Sequence, residues 1–335
     1  MSKDLTLLFV EQFKLCKLQP EETVAVIAEL GQKEAHVQAA VRAAQLLGAA
    51  AVVLQAPTIS HADLPPYAES QRGMGALIAA AGECDLVVDA TLAGIVHSDV
   101  RTRITGAGKR MFFVAEPAGV LERLTGTPEL RATVEAGGKL LREGASMHVT
   151  SEAGTDLTLD ISGEDLPITL QYGYVDEPGR WDHWPSGFIA CFPKDRSAQG
   201  RIVLQPGDML LQWLRPVGSL VTLTIENGFI VDVAGDGTDA FMLRDYFEAW
   251  EDPEVWALSH AGWGVHPHAA FSAIDVYPPA TLYGQDFRSA AGNFMWSTGS
   301  NRFANRFTPA HLDIPMHSCT VRIDNRTVVS AGKLV

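Results

Sequence analysis

The sequence His311-Leu312-Asp313 places two potential metal ligands two residues apart. In a β-strand, residues i and i+2 project from the same face, so the imidazole and the carboxylate would point together while Leu312 points away. A histidine from another element would complete a face of two imidazoles and one carboxylate, which on Fe(II) leaves positions open for substrate and oxygen. The spacing alone suits Fe(II), Mn(II) and Zn equally.

His260 is the best candidate for the third ligand. It follows the apolar run Val255–Leu258 and precedes Gly262-Trp263-Gly264, where glycines would let the backbone turn tightly beside a site. It is also open that these residues bind no metal, because a His-x-Asp pair also occurs by chance. A single histidine in a strand often only forms a hydrogen bond.

A second cluster of polar and aromatic residues occupies positions 179–187, GRWDHWPSG, and its bracketing proline and glycines predict a loop. His183 could serve as an acid or base, Arg180 could hold an anionic oxygen, and an indole of Trp181 or Trp184 could stack on a flat ring. The alternative is a well-packed structural loop in which Arg180 pairs with the neighbouring aspartate.

The elements that must position these residues follow two different patterns of apolar residues along the chain. Up to about residue 125, short apolar runs alternate with helical patterns, and Lys33–Leu47 has the apolar spacing of a helix. This alternation predicts a parallel sheet covered on both faces. The predicted strands are Thr23–Leu30, Ala50–Gln55, Leu86–Asp89 and Met111–Val114.

Beyond about residue 145 the pattern predicts antiparallel hairpins, and a helix is predicted over Ala240–Trp250. We therefore expect an α/β N-terminal domain over residues 1–144, with a mostly parallel sheet. An α+β, mostly antiparallel catalytic domain that binds the metal would follow over residues 145–335. The hairpin strands are Met147–Thr150 with Asp156–Ile161, Leu220–Ile225 with Phe229–Val233, and Cys319–Ile323 with Thr327–Val329.

The composition excludes several classes of protein. The 335 residues are 47% hydrophobic and 20% charged, which is typical of a folded globular chain. The net charge of −14 argues against binding to nucleic acid or to an anionic membrane surface. The apolar runs are shorter than the roughly 20 residues that cross a bilayer, and the N-terminus does not resemble a signal peptide. Four scattered cysteines fit a reducing compartment, so we expect a cytoplasmic protein.

Familiar catalytic motifs are missing from the sequence. There is no Gly-x-Gly-x-x-Gly cradle after the first predicted strand, which argues against a nucleotide cofactor. There is also no Gly-x-Ser-x-Gly elbow and no His-Glu-x-x-His helix, which disfavours α/β serine hydrolases and zincins.

Three segments of the sequence together resemble the 2,5-dihydroxypyridine 5,6-dioxygenases, which open the ring of hydroxylated N-heterocycles during nicotinate breakdown. These segments are Pro178–Gly187, Ser259–Gly264 and His311–Asp313. The family is similar in fold to two-domain metalloaminopeptidases. The resemblance covers most of the C-terminal half, whereas the N-terminal half agrees only in texture, with Ala93–Ser98 as a possible pocket loop.

The resemblance implies a single Fe(II) held by His260, His311 and Asp313, with a small aromatic substrate and O2 as the reactants. The related peptidases hold two metals with glutamates, so a histidine at position 260 favours the dioxygenase. The resemblance also implies a base that accepts a phenolic proton, with His183 as the first candidate and His97 as the second.

Ser297, within Trp296-Ser297-Thr298-Gly299, could hydrogen-bond substrate or bound oxygen, or it could only cap a turn. The family likeness further implies a homo-oligomer. Two other hypotheses stay open: a metal-dependent hydrolase on the peptidase-like scaffold, and a small-molecule sensor whose histidines are structural.

Overall fold

A computed structural model describes residues 3–56, 74–92, 94–95 and 99–335 of the chain. The predicted base His97 and most of the Ala93–Ser98 loop lie outside these residues. The α-helices are α1 Leu5–Leu15, α2 Glu34–Leu46, α3 Met74–Gly82, α4 Asp99–Gly106, α5 Ala118–Arg123, α6 Pro128–Glu143, α7 Thr238–Ala249 and α8 Gln285–Ser289. Short 3₁₀ helices cover Leu211–Trp213, Pro253–Trp256, Phe271–Asp275, Pro279–Thr281 and Arg302–Ala304.

The strands of the first half are β1 Thr23–Glu29, β2 Ala50–Ala56, β3 Leu86–Asp89, β4 Arg110–Val114, β5 Ser146–Thr150, β6 Asp156–Asp160, β7 Ile168–Gln171, β8 Trp181–Trp184, β9 Phe188–Cys191 and β10 Gln199–Leu204. Those of the second half are β11 Met209–Leu210, β12 Arg215–Pro216, β13 Val221–Glu226, β14 Phe229–Ala234, β15 Leu258–Gly264, β16 Phe294–Asn301, β17 Arg306–Met316, β18 Thr320–Ile323, β19 Arg326–Ser330 and β20 Lys333–Leu334. Within the described ranges, no helix has both the length and the apolar composition needed to cross a membrane.

The chain divides into two compact units that are both discontinuous in sequence. The first comprises Met1–Pro128 and Gln171–Ser186, and the second comprises Glu129–Leu170 and Gly187–Val335. The return of residues 171–186 to the first unit reflects strand β8, which joins the sheet of that unit. The two-domain division at residues 144 and 145 stays a prediction.

A five-stranded sheet forms the centre of the first unit, in the order β2-β1-β3-β4-β8. Its strands pair in parallel, and the apolar residues of β1, β3 and β4 are almost completely buried. Continuous apolar runs are what a parallel sheet covered on both faces requires. The four strands and the helix predicted in this region are confirmed, and so is the parallel α/β class.

The prediction of a loop at residues 179–187 is wrong for its central part, because Trp181–Trp184 is strand β8. This strand pairs in parallel with β4, from Met111 opposite Trp181 to Val114 opposite Trp184. A strand of four residues whose partner lies some 70 positions away carries little local signal. The bracketing glycine and proline residues mark its ends.

The second unit is mostly antiparallel, as predicted. An eight-stranded sheet has the order β14-β13-β10-β6-β5-β18-β19-β20, and it contains the three predicted hairpins. The helix predicted over residues 240–250 is α7. A second sheet of five strands, in the order β17-β16-β15-β9-β7, carries His260, His311 and Asp313.

His36, on α2 of the first unit, is an ionisable residue held in an apolar environment. Its ring packs edge-on against Phe9, and its Nε2 atom is buried without a hydrogen-bond partner among the described residues. Burial lowers the pKa of His36 to about 4, with a further contribution from the charge of Lys33, while a hydrogen bond to the backbone of Glu116 opposes the shift.

We predict that His36 makes the fold sensitive to acid. The unfolded chain binds a proton at this position near pH 6.5, whereas the folded chain binds it only near pH 4. His36 therefore leaves the free energy of unfolding unchanged above pH 6.5. As the pH falls towards 4, proton binding to the unfolded chain lowers the free energy of unfolding by up to about 3 kcal/mol. Urea unfolding measures the free energy of unfolding at pH 7 and at pH 4.5. The difference between these two values should be smaller for His36→Leu than for the wild type. Gln45→Leu, which changes an exposed residue of α2 that does not titrate, should keep the wild-type difference.

Candidate metal centre

Strand β17 brings His311 and Asp313 to one face, as the spacing of two predicts. His311 lies opposite Gly299 of β16, and Asp313 lies opposite Ser297. The Nε2 atom of His311 is 3.2 Å from Oδ1 of Asp313. The sequence prediction that these two side chains point together is therefore confirmed.

His260 reaches the same carboxylate from strand β15, through an irregularity in the pairing with β16. Leu258 lies opposite Thr298 and Ala261 lies opposite Trp296, so β15 has one residue more than β16 between these pairs. Such a β-bulge bends the strand and redirects a side chain. The Nε2 atom of His260 lies 3.2 Å from Oδ1 of Asp313.

The bulge removes the backbone N–H of His260 from the regular ladder, and Ser297 compensates for this loss. The N–H donates to the Ser297 hydroxyl oxygen at 3.1 Å. Ser297 is fully buried, and its position opposite Asp313 places its side chain beside that of Asp313 on the same face of the sheet. In this structure the Ser297 hydroxyl therefore supports the backbone of a candidate ligand.

The three side chains together can hold a metal ion. One donor atom from each of His260, His311 and Asp313 lies within 4.8 Å of the other two. Among the described residues, this is the one group in which three or more potential metal ligands come together. The shared oxygen, Oδ1 of Asp313, is buried and makes no well-formed hydrogen bond within the described part of the chain. Two imidazole nitrogens that converge on one such oxygen suit a divalent cation.

The electrostatics of the cluster favour the metal-binding protonation states. Burial opposes ionisation of Asp313, but Arg288 and the two histidines overcome this and hold the pKa of the carboxyl well below its usual value. Burial lowers the pKa of His260, and the nearby Asp313 only partly opposes the shift. A neutral imidazole and an ionised carboxylate are the forms that coordinate metals.

Arg288, on α8, fixes the carboxylate, and the sequence analysis did not identify it. Its Nε and Nη2 atoms both lie 2.9 Å from Oδ2 of Asp313, so Oδ1 is left to face the histidines. Its Nη1 atom donates to the carbonyl of Tyr283 at 2.7 Å, which fixes the guanidinium itself. No sequence motif distinguishes this arginine from the others, since its role depends on a partner 25 residues away.

The residues of the second cluster lie in the first unit, on and beside β8. His183 is only 5% exposed and packs edge-on against Phe113 and Trp181. Arg180 donates to Asp182 at 2.9 Å, and its guanidinium lies 3.6 Å from the ring centre of Tyr172.

The two tryptophans of this cluster differ in environment. Trp184 is 1% exposed and packs edge-on against Phe9 and Phe112, whereas the ring of Trp181 is covered by the Arg101 guanidinium at 4.2 Å. The burial of Trp184 and the Arg180–Asp182 ion pair fit the structural alternative that the sequence left open.

Comparison with known proteins gives consistent matches over the whole chain. A family model described as 2,5-dihydroxypyridine 5,6-dioxygenase matches residues 4–335. A 2,5-dihydroxypyridine 5,6-dioxygenase from Pseudomonas putida KT2440 is 37% identical over 340 residues, which covers 99% of this chain and 96% of that protein.

Solved structures agree with these matches. The structure of the dioxygenase from Pseudomonas putida KT2440 is similar with a TM-score of 0.93, at 37% identity over 99% of this chain and 96% of that one. Wild-type AmpT from Thermus thermophilus is similar with a TM-score of 0.64, at 13% identity over 99% of both chains. The second likeness shows a shared fold only.

The hydrogen bond beneath His260 leads to a prediction about stability. Ser297→Ala leaves the partly buried N–H of His260 without its acceptor, so we expect the free energy of unfolding to fall by about 1–3 kcal/mol in urea titrations. Thr298→Val is the matched control, because the neighbouring Thr298 hydroxyl is buried and has no hydrogen-bond partner in the part of the chain described. This control should be neutral or slightly stabilising, and an equal loss in both variants would contradict the role given to Ser297.

Proposed function

This chain belongs to the 2,5-dihydroxypyridine 5,6-dioxygenase family, and on that premise we propose that it cleaves the C5–C6 bond of 2,5-dihydroxypyridine, or of a similar hydroxylated N-heteroaromatic, with Fe(II) and O2. The convergence of His260, His311 and Asp313 in a chain of this family is the observation that supports the proposal most directly. With 2,5-dihydroxypyridine the product would be N-formylmaleamate, which contains both atoms of O2.

His260, His311 and Asp313 would hold the metal through one face of its coordination sphere. A ferrous ion bound there would supply open positions for the substrate's ring oxygens and for O2. Arg288 keeps Asp313 ionised and presents a single carboxylate oxygen towards the histidines. Ser297 holds the backbone of His260 by accepting a hydrogen bond from its N–H.

A proton must leave the hydroxyl of the substrate as the ring becomes electron-rich. We assign this proton to His183 as the first candidate and to His97 as the second. Arg180, Trp181 and Trp184 are the candidates for binding the substrate, although Trp184 is almost completely buried in its unit. The homo-oligomeric state implied by the family likeness and the cytoplasmic location expected from the cysteines also stay predictions.

A metal-dependent hydrolase with two ions is the alternative to be tested. It would need further carboxylate ligands beside the triad, and within the described ranges the structure groups three or more potential ligands only at His260, His311 and Asp313. Anaerobic reconstitution with Fe(II), followed by oxygen uptake and mass spectrometry with 2,5-dihydroxypyridine, separates the two functions. One iron per chain and a product heavier by two oxygen atoms support the dioxygenase. Two ions per chain, together with no oxygen uptake on any of several dihydroxylated rings, would exclude the dioxygenase.

The ligand assignment gives a direct prediction. His260→Ala and Asp313→Ala should each weaken iron retention by more than the roughly 10–100-fold typical of changes in residues that only support a ligand. The reason is that two remaining donors hold Fe(II) poorly. Iron content after dialysis against a chelator is the measurement, with His148→Ala, a histidine of β5, as the control that should keep its iron. Full iron content in the Asp313 variant would overturn the assignment.

The assignment of the base is tested separately. His183→Ala should keep one iron per chain and lower kcat by roughly 10²–10⁴-fold, as expected for loss of a general base. The pH profile of kcat should also lose its acidic limb. If kcat and the profile are unchanged, His183 has no such role, and the same measurements on His97→Ala then test the second candidate.

A further inference from the structure

Within the described part of the chain, the His260 imidazole has no hydrogen bond of the kind that usually supports a metal-binding histidine. Such a histidine normally donates its second ring N–H to a carboxylate, a carbonyl or water, which fixes the orientation of the ring. The Nε2 atom of His260 faces Asp313, so Nδ1 is the second nitrogen. This Nδ1 atom is buried and has no hydrogen-bond partner among the residues described.

Two phenylalanines pack against this ring. Phe188 lies edge-on to His260 with 6.0 Å between ring centres, and Phe192 lies edge-on at 5.7 Å. Strand β9 pairs with β15 so that Cys191 lies opposite Ala261, and Phe192 therefore follows at the level of His260. Phe188 lies opposite Gly264 in this register and contacts the imidazole through its ring. Phe303 supports Phe192 from behind, with 4.7 Å between their ring centres.

We propose that Phe192, together with Phe188, positions His260 for metal binding by packing, in the place where other metal sites use a hydrogen bond. This inference rests on the metal centre proposed above. Edge-on aromatic contacts restrict the rotation of the ring and exclude water from Nδ1. Unlike a carboxylate, they accept no hydrogen bond from the ring N–H, so they act on the orientation of the ring alone.

Phe192 is the better residue to change, because it is only partly buried whereas Phe188 is part of an apolar cluster with Ala190 and Met295. Phe192→Ala should weaken Co(II) binding by about 10–100-fold, the range seen when support of a ligand is lost. Phe192→Leu keeps apolar volume but not the ring, and it should give a smaller loss. Phe241→Ala removes an exposed phenylalanine of α7 and should leave Co(II) affinity unchanged.

The measurements are made anaerobically on the full chain, by competition between the protein and a chromophoric chelator for Co(II). The visible d–d spectrum of the bound Co(II) reports its ligand geometry, and urea unfolding of the metal-free protein reports stability. A weaker affinity and an altered spectrum in Phe192→Ala, with Phe241→Ala unchanged, support the proposal. Affinity within twofold of the wild type, with an unchanged spectrum, overturns it.

The outcomes also separate this inference from the function on which it rests. If the wild type binds no Co(II), or if Asp313→Ala does not reduce binding, the metal centre itself is excluded. If the wild type binds one Co(II) that depends on Asp313 and Phe192→Ala binds it equally well, only the role of Phe192 is excluded. Should Phe192→Ala fail to fold, Phe192→Leu decides by the same criteria.

Discussion

The buried carboxylate of Asp313 is the interaction on which the candidate site depends. A charge removed from water is costly unless it is paired and hydrogen-bonded. Arg288 satisfies Oδ2 with two contacts, and the two histidines approach Oδ1. The carboxylate is thereby divided between one oxygen that is fixed by the protein and one that is available to a metal. An arginine is well suited to this task, because its planar fork holds a carboxylate in one orientation.

Near this carboxylate, the backbones of neighbouring strands approach each other closely, and two glycines make this approach possible. A Cβ atom at Gly299 would collide with the carbonyl of Ala310, next to His311, and its φ of +87° is one that other residues rarely adopt. A Cβ atom at Gly262 would collide with the backbone of Ile189 on β9. The glycines after His260 predict a tight turn. The structure shows instead that the segment is a strand and that Gly262 permits close approach of its neighbour, so that expectation was wrong.

Local periodicity accounts for most of what the sequence predicts correctly. The buried strands of the first unit, the hairpins of the second and the shared face of His311 and Asp313 follow from patterns only a few residues long. The bulge at His260, the Arg288 contact and the entry of β8 into the parallel sheet depend on partners tens of residues distant. No local pattern encodes such partners. The type of residue and the apolar run before it are enough to select His260 as a candidate ligand. The bulge that directs its side chain cannot be predicted from the sequence.

The function follows from the site more than from the fold. AmpT shares the fold at only 13% identity, and one scaffold commonly supports unrelated reactions. Three protein ligands on one face would leave several positions of a six-coordinate ion free, which a reaction that must bind both an aromatic substrate and O2 requires. A closed set of four ligands would hold a structural ion and leave no such positions. With only three ligands, each would carry a larger share of the metal affinity, so the contacts that Arg288, Ser297 and the neighbouring aromatic rings make with the three residues would matter more.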